Sequence, residues 1–543
     1  MPRTRSNAGF CPPRPVRFGN RADGDFTAVD FTAVGFFAAA LAILLLTLAG
    51  CSSSADESET GAGPGSAQMV DDLFANAVGL LNDLDEFDPS EALPQVINRL
   101  NQWIGTRKPI AHWQPDPLVG KLEPRLKKLP PLVDLSLLRF EREDGLGLQE
   151  AVWLREAART IVGRETDDLA RARRLFDWTV RNIELLPEDA EQQASRWPQR
   201  PWETMLLGRG QVVDRAWVWI LLARQQGLDV VLLAADTPEA RHGRLPEKWL
   251  PALLLEKSLY LFDPQWGLPI PGADGRGVAT LEQAASDPRI FERLDSGAKH
   301  HYRLRADDLR RVVVLVEGSS YYLSQRMELL ELHLAGADRI VLSLDASGLV
   351  DRAAALGHVG SGRLWNLPYE RLAEKFAASK QQIDDGNRQV SVFRSPTRNL
   401  WSARVLHLMG RYTGPRGAIH FYQLCRPAND DIADALEAGK VTRQIADLAR
   451  QAKEDASYWL GLLAYERGLY ETAIDYFRLR TLDSFPKGAW TEGAHYNLAR
   501  SYEDLGQAAE AIAQYDATQS AQRPGNLVRA GRLKAEMPQK NAE

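Results

Sequence analysis

The chain has 543 residues, with 66 Lys or Arg against 72 Asp or Glu, a formal net charge of −6. Such mild acidity leaves no electrostatic footprint for nucleic acid. Three cysteines, Cys11, Cys51 and Cys425, are too few for a disulfide-stapled scaffold, and 44% apolar with 25% charged residues is ordinary for a globular chain of roughly two to four domains.

In chain order, the first feature is an apolar run from Val34 to Thr47, preceded by Arg3, Arg5, Arg14, Arg17 and Arg21 and closed by Leu48-Ala49-Gly50-Cys51. The run is shorter than the roughly 20 residues a membrane-spanning helix requires. The layout resembles the signal peptide of bacterial lipoproteins. The resemblance implies removal of residues 1–50, acylation of Cys51, and residence as an extracytoplasmic, membrane-anchored lipoprotein on the periplasmic or cell-surface side. Acyl chains contribute ~0.8 kcal/mol per buried methylene, so two or three anchor a protein durably. Residues 51–68 are Ser, Gly, Ala and acid without a large apolar side chain, and are expected to form a flexible tether.

Residues 69–145 form a helical and proline-rich entry segment. Val70, Leu73, Val78, Leu80, Leu81 and Leu84 recur at helical spacing, and a second amphipathic stretch runs to Trp103. Thr106 to Asp134 is rich in Pro and Lys, and Pro130-Pro131 is expected to block a helix.

From 146 to 305 the pattern changes. Thr166-Asp167-Asp168 offers an N-cap to a helix carrying Leu169, Ala172, Phe176, Val180 and Ile183. A helix is expected over Val213–Gln226, stopped by Gly227, then a buried strand from Leu228 to Ala234. Leu250–Leu255 and Ser258–Phe262 read as a hairpin ending at Asp263-Pro264. Trp217 and Trp219 are expected in the core. This order, with Gly210-Gln-Val-Val-Asp-Arg-Ala216 opening the helix, resembles the transglutaminase-like fold, whose core is shared with papain-type cysteine proteases. In that family a G-x-C pattern supplies the nucleophile, a following strand opens with the histidine base, and the next strand ends on the aspartate. Here Val212 stands in the nucleophile position and Lys248 in the base position, and Asp263 alone matches. A valine has no nucleophile, and a lysine near its ordinary pKa is no base at neutral pH. A catalytic triad is therefore not expected.

Cys425, in Phe421-Tyr-Gln-Leu-Cys425-Arg-Pro, is expected in a strand as a small buried hydrophobe, although His407 and His420 leave it open as a replacement nucleophile. His242, His300 and His301 lack metal-ligand spacing, so neither metal nor cofactor is expected.

Residues 306–440 are expected to form an α/β region of unreadable role, with strands at Val312–Val316 and Ile340–Leu344 around a helix at Tyr322–Leu334. The cluster Gly357-His-Val-Gly360-Ser-Gly362-Arg lacks the phosphate-loop lysine and reads as a loop. In 441–535, Leu460-Gly461, Gly468, Ala473 and Phe477 recur 38 residues later as Leu498-Ala499, Gly506, Ala511 and Tyr515. The pattern resembles the tetratricopeptide repeat with a lengthened period, and either a degenerate helix pair at Asp430–Lys453 or packing against the preceding domain is expected to cover its exposed face.

The expected architecture is thus α+β and multidomain, ending in an all-α helical array. The expected function is that of a lipid-anchored cell-envelope protein with a non-catalytic transglutaminase-like domain, binding an envelope protein or peptide through the tetratricopeptide groove, or serving assembly. Two rivals stand beside it: an enzyme acting on peptide or isopeptide bonds with atypical residues, and a purely structural lipoprotein.

Overall fold

The computed structural model describes residues 64–84, 89–187, 195–295, 301–394 and 396–537. The expected signal peptide, Cys51, the expected tether as far as residue 63, and His300 lie outside the described residues.

Helices α1 (Pro64–Asn82) and α2 (Pro89–Ile104) pair with each other, and α3 (Arg142–Val162) packs against both. α4 (Asp168–Asn182) starts at the expected cap, the Asp167 carboxylate accepting the Ala170 N–H at 2.7 Å. A short parallel ribbon of β1 (Glu184–Leu185) and β2 (Arg209–Gly210), with α5 (Pro201–Leu207) between, leads into α6 (Val212–Arg224). α6 has no polar face, because helices or the sheet cover it all round: Ala216 through Ala223 are buried, Trp217 and Trp219 among them.

The strands β3 (Asp229–Ala235), β4 (Trp249–Leu255), β5 (Ser258–Asp263), β6 (Leu268–Pro269), β7 (Val312–Val316) and β8 (Val359–Leu364) make one sheet in the order β6-β5-β4-β3-β7-β8. The hairpin register pairs Leu255 with Ser258, leaving Glu256-Lys257 as the turn. All pairs are antiparallel except β7 with β8. The expected α/β region after residue 306 has no sheet of its own, since its strands extend this one.

Alternation along the strands divides the core in two. Val230, Leu232, Ala234, Leu253, Val313 and Leu315 join a core shared with α6 and with helices as distant as those of Ala77 and Leu533. Val231, Leu233, Leu250, Ala252 and Val314 face a second cluster, completed by Leu118, Leu122, Leu126, Leu129, Leu132 and Leu135. The proline-rich stretch is therefore part of the cover of the sheet's rear face, beside the helices Leu281–Ser286 and Ala346–Ala354. Contrary to expectation, Pro130-Pro131 does not block a helix: the prolines start a helical turn, Pro130–Val133, where the missing N–H would be unpaired anyway.

Several local expectations fail for one reason, tertiary burial overriding local pattern. Ile340–Leu344 is not a strand. Its place beside β7 is taken by the glycine cluster expected to be a loop, where Gly362 lets the Val350 side chain lie where a Cβ would be 2.2 Å away. The helix expected over Tyr322–Leu334 shrinks to α7 (Gln325–Glu331), after a 3₁₀ turn at Ser320–Leu323. The loop after β7 is joined to α6 through Glu317. After β8 come α8 (Leu367–Phe376) and α9 (Asn399–Leu408), then α10 (Ala418–Leu424). Phe421–Leu424 is thus helical rather than a strand, and Cys425 is the C-cap, buried as expected.

The C-terminal region is helical throughout. α11 (Asn429–Glu437) precedes α12 (Arg443–Glu466) and packs against it, so two helices do span the expected pair at 430–453, the second continuing as the long helix that carries Leu460-Gly461. α13 (Tyr470–Asp475) runs into a π turn at Tyr476–Leu482, and α14 (Thr491–Asp504), α15 (Ala508–Ala517) and α16 (Arg523–Glu536) follow. The repeated small residues are contact points. Ala473, Ala499, Ala511, Phe477 and Tyr515 are fully buried, and a Cβ on Gly461 would meet the Phe477 ring at 2.6 Å. Gly461→Ala is expected to cost about 1–3 kcal/mol through overpacking. Thermal unfolding checks this, with the exposed Gly531→Ala in α16, which meets nothing within 4 Å and is expected to gain about 0.5–1 kcal/mol from helix propensity, as the control of opposite sign.

Candidate functional site

The site to examine lies where α6 begins and β5 ends. Gln211 caps α6, its N–H bonded to Asp214 Oδ2 at 2.8 Å, and Val212 is the first helical residue, half-buried against the core. Three residues on, and so on the same strip of the helix, stands Arg215. Its guanidinium is buried without a carboxylate partner in hydrogen-bonding reach: Nε donates to Ile183 O at 3.1 Å, and Nη1 to Pro264 O at 2.8 Å and Gln522 Oε1 at 2.7 Å. Burial pushes its pKa down to about 10, and the donors remain satisfied by carbonyl oxygens.

Asp263 is fully buried, and both its oxygens are committed. Oδ1 accepts the N–H groups of Gln265 at 2.7 Å and Trp266 at 3.0 Å, an Asx turn that closes the strand end. Oδ2 accepts Tyr302 Oη–H at 2.7 Å and Arg303 Nη1 at 2.9 Å. Burial and the adjacent Asp263 charge hold the Tyr302 hydroxyl far above its ordinary pKa, so it stays a donor. Arg303 also donates to Trp249 O at 3.1 Å, bridging the starts and ends of neighbouring strands. Lys248 points elsewhere: its ammonium is 42% exposed and pairs with Asp308 at 2.9 Å. Val212, Lys248 and Asp263 therefore make no hydrogen-bonded set. Where an imidazole would have to meet the aspartate, a phenol and a guanidinium do so.

Tyr302, Arg303, Arg215 and Gln522 escaped the sequence reading. Arg215 carried a signal, a lone cation inside the apolar run Val212–Ala223. Gln522 carried none, being 307 residues away from its partner.

The C-terminal helices cover this region. A Cβ on Gly525 would lie 1.9 Å from Trp266 O, and one on Gly267 (φ +66°) 2.8 Å from Gln522 and Val180, so α16 rests directly on the turn after Asp263. α12 and α14 lie against α4. Glu466 accepts Trp178 Nε1 at 2.8 Å and Asn182 Nδ2 at 2.9 Å, and Asn497 donates to Arg181 O at 3.2 Å. Glu466 also faces His407 Nε2 at 3.1 Å. Burial raises the Glu466 pKa, but His407 and Asn182 more than offset it, leaving it near 2. α12 and α14 thus each spend polar side chains on α4.

Cys425 is poorly suited to nucleophilic chemistry. Burial, with a smaller contribution from Asp455, pushes its thiol up to about 12, and a thiol at that value carries little thiolate at neutral pH. On another strip of α6, Trp217 borders a cleft with Arg200, Ser319, Tyr321, Arg371 and Lys375. Its cations are paired, Arg200 with Glu143 at 2.9 Å and Lys375 with Glu203 at 2.6 Å. Among the described residues, no group of three or more His, Cys, Asp or Glu could hold a metal ion.

One carboxyl at this junction is poised to titrate. Glu184 accepts the Gly493 N–H at 3.3 Å, and burial pushes its pKa from 4.5 to about 7. A carboxyl whose folded pKa is raised favours the folded state while protonated, so its contribution falls as pH rises from about 4.5 to 7. Denaturant unfolding between pH 5 and 8 is expected to show a smaller decline for Glu184→Gln than for the wild-type chain.

Residues 155–240 match the model of the Transglutaminase-like superfamily. The match includes α4, α6 and β3, and with them Val212, and ends before Lys248 and Asp263. No curated protein and no solved structure matches the chain. The chain thus carries a transglutaminase-like domain, set in a mixed α+β fold with a helical C-terminal region.

Proposed function

We propose that this is a lipid-anchored cell-envelope protein in which the transglutaminase-like domain is non-catalytic and, together with tetratricopeptide-like C-terminal helices, serves protein binding or assembly. The observation that carries the reading is the fate of the triad positions. Val212 offers no nucleophile, Lys248 is turned to Asp308, and Asp263 is saturated by two N–H groups, Tyr302 and Arg303. Acyl transfer through a thiol needs a nucleophile, a base beside it and a group that orients the base. Cys425 does not replace the first, being buried and held as the neutral thiol.

The helices at the C-terminus clamp the domain, because α12, α14 and α16 each contribute bonds to it. A partner protein then meets the outer face, where Leu469 and Leu479 are 41% and 43% exposed. Anchoring is supported by Leu48-Ala49-Gly50-Cys51 and the apolar run before it.

Two outcomes follow. Incubated with an acyl-donor peptide and a labelled amine, the purified chain is expected to give no more product than a heat-inactivated control, and Val212→Cys alone is expected to leave it inactive. Turnover by the wild-type chain that Cys425→Ala abolishes, with unchanged thermal unfolding, would sink the non-catalytic reading. In bacterial cells, labelled palmitate is expected in the wild-type chain and to be lost in Cys51→Ala; equal labelling of both would remove the anchor.

A further inference from the structure

The proline-rich part of the sheet's rear cover has an outer side that is exposed at Lys127, Lys128, Val133 and Leu137. Leu126, Leu129 and Leu132 point inward at intervals of three, and Leu135 continues the row, so the residues between them point away from the sheet. These include Lys127, Lys128, Val133 and Leu137. Val133 is 70% exposed, the most of any large apolar residue among those described with such exposure, and Leu137 is 41% exposed. From 119 to 140 the chain carries Lys121, Arg125, Lys127, Lys128 and Arg139 against Glu123 and Asp134, a local excess of cations on a protein of net charge −6. Arg125 is engaged with Glu123 and Glu370, but Lys127 bonds a backbone carbonyl, Gly120 O at 2.6 Å, and so keeps its charge unpaired there.

The surface is also stiff and well placed. Gln325 ties it down twice, through its N–H to Leu135 O at 2.9 Å and its side chain to Ile110 O at 3.2 Å. A few residues before Ile110, Arg107 pairs with Asp71 of α1 at 2.9 Å. α1 begins at Pro64, thirteen residues after Cys51, a length that spans about 45 Å at most when extended.

We propose that residues 119–138 form a second membrane contact, in which Val133 and Leu137 enter the interfacial region of an anionic bilayer while Lys121, Lys127 and Lys128 meet its headgroups. The inference rests on the anchored reading above for its geometry. Exposed apolar residues preceded in the chain by exposed lysines suit this boundary, because the aliphatic stems lie along the acyl region while the ammonium groups stay with the phosphates. Each Lys near an anionic surface adds attraction that falls off within a Debye length. The lipid anchor holds the body close enough for such weak contacts to be made.

The test is hydrogen exchange of the full chain, purified from membranes and reconstituted in vesicles of phosphatidylcholine alone or with phosphatidylglycerol. Exchange over 119–138 is expected to slow in the anionic vesicles and not in the neutral ones. Lys127→Glu with Lys128→Glu is expected to weaken this protection about tenfold as a function of anionic lipid content, and Val133→Asp with Leu137→Asp to abolish it, while all variants sediment with the vesicles and unfold at the wild-type temperature. Sedimentation with unchanged exchange over 119–138 would overturn the contact and leave the anchor standing. Protection is expected to fall in Cys51→Ala, which lacks the palmitate label; protection that persists unchanged there would keep the contact and overturn its dependence on the anchor, whereas label retained in Cys51→Ala would sink the anchor itself. Equal protection in neutral and anionic vesicles would rule out the electrostatic half of the proposal.

Discussion

The fold turns on Arg215, a guanidinium sealed in the interior with oxygen dipoles around it instead of a carboxylate. Burying a cation costs several kcal/mol unless its donors are met, and here they are met by groups from three separate parts of the chain: Ile183 after α4, Pro264 after β5, and Gln522 at the start of α16. None of these can move away without leaving a charge unsatisfied. The end of the helical array is thereby tied to the turn that follows Asp263.

That tie explains why the domain and the C-terminal helices share one apolar core, running from Ala77 to Leu533. Short helical arrays have exposed end faces that must be covered. In this chain the domain supplies the cover, through α4 on one side and the Trp266–Gly267 turn on the other. The sheet has the matching problem on its rear face, and the leucines of the proline-rich segment solve it together with the helices Leu281–Ser286 and Ala346–Ala354. Both solutions use long-range packing.

The same arrangement bears on chemistry. The start of α6 lies beside the end of β5, where Arg215 donates to Pro264 O at 2.8 Å. Asp263 has become a structural residue that closes a turn and holds Tyr302 and Arg303. The strip of α6 beside Val212 is filled by Arg215, and α16 lies over the adjoining turn.

The hairpin, the central helix with its Gly227 stop, the Asp167 cap and the buried small residues of the repeats were legible because each rests on local physics: turn chemistry, capping and the helical period. Valine at 212 and lysine at 248 were equally legible, since side-chain identity alone decides whether a nucleophile or base exists. The strand at Val359–Leu364, the helix at Cys425 and the role of Pro130-Pro131 were not, because glycine, alternation and proline each permit more than one local structure, and the neighbours that choose between them come from distant parts of the chain. Residue types and periods determined which elements could form and which side chains stand at 212, 248 and 263. Only tertiary packing decided that Tyr302 and Arg303 would hold Asp263, that Gln522 would complete Arg215 and that a proline-rich stretch would cover the sheet, since a buried charge or an apolar face is satisfied by whatever the fold brings to it.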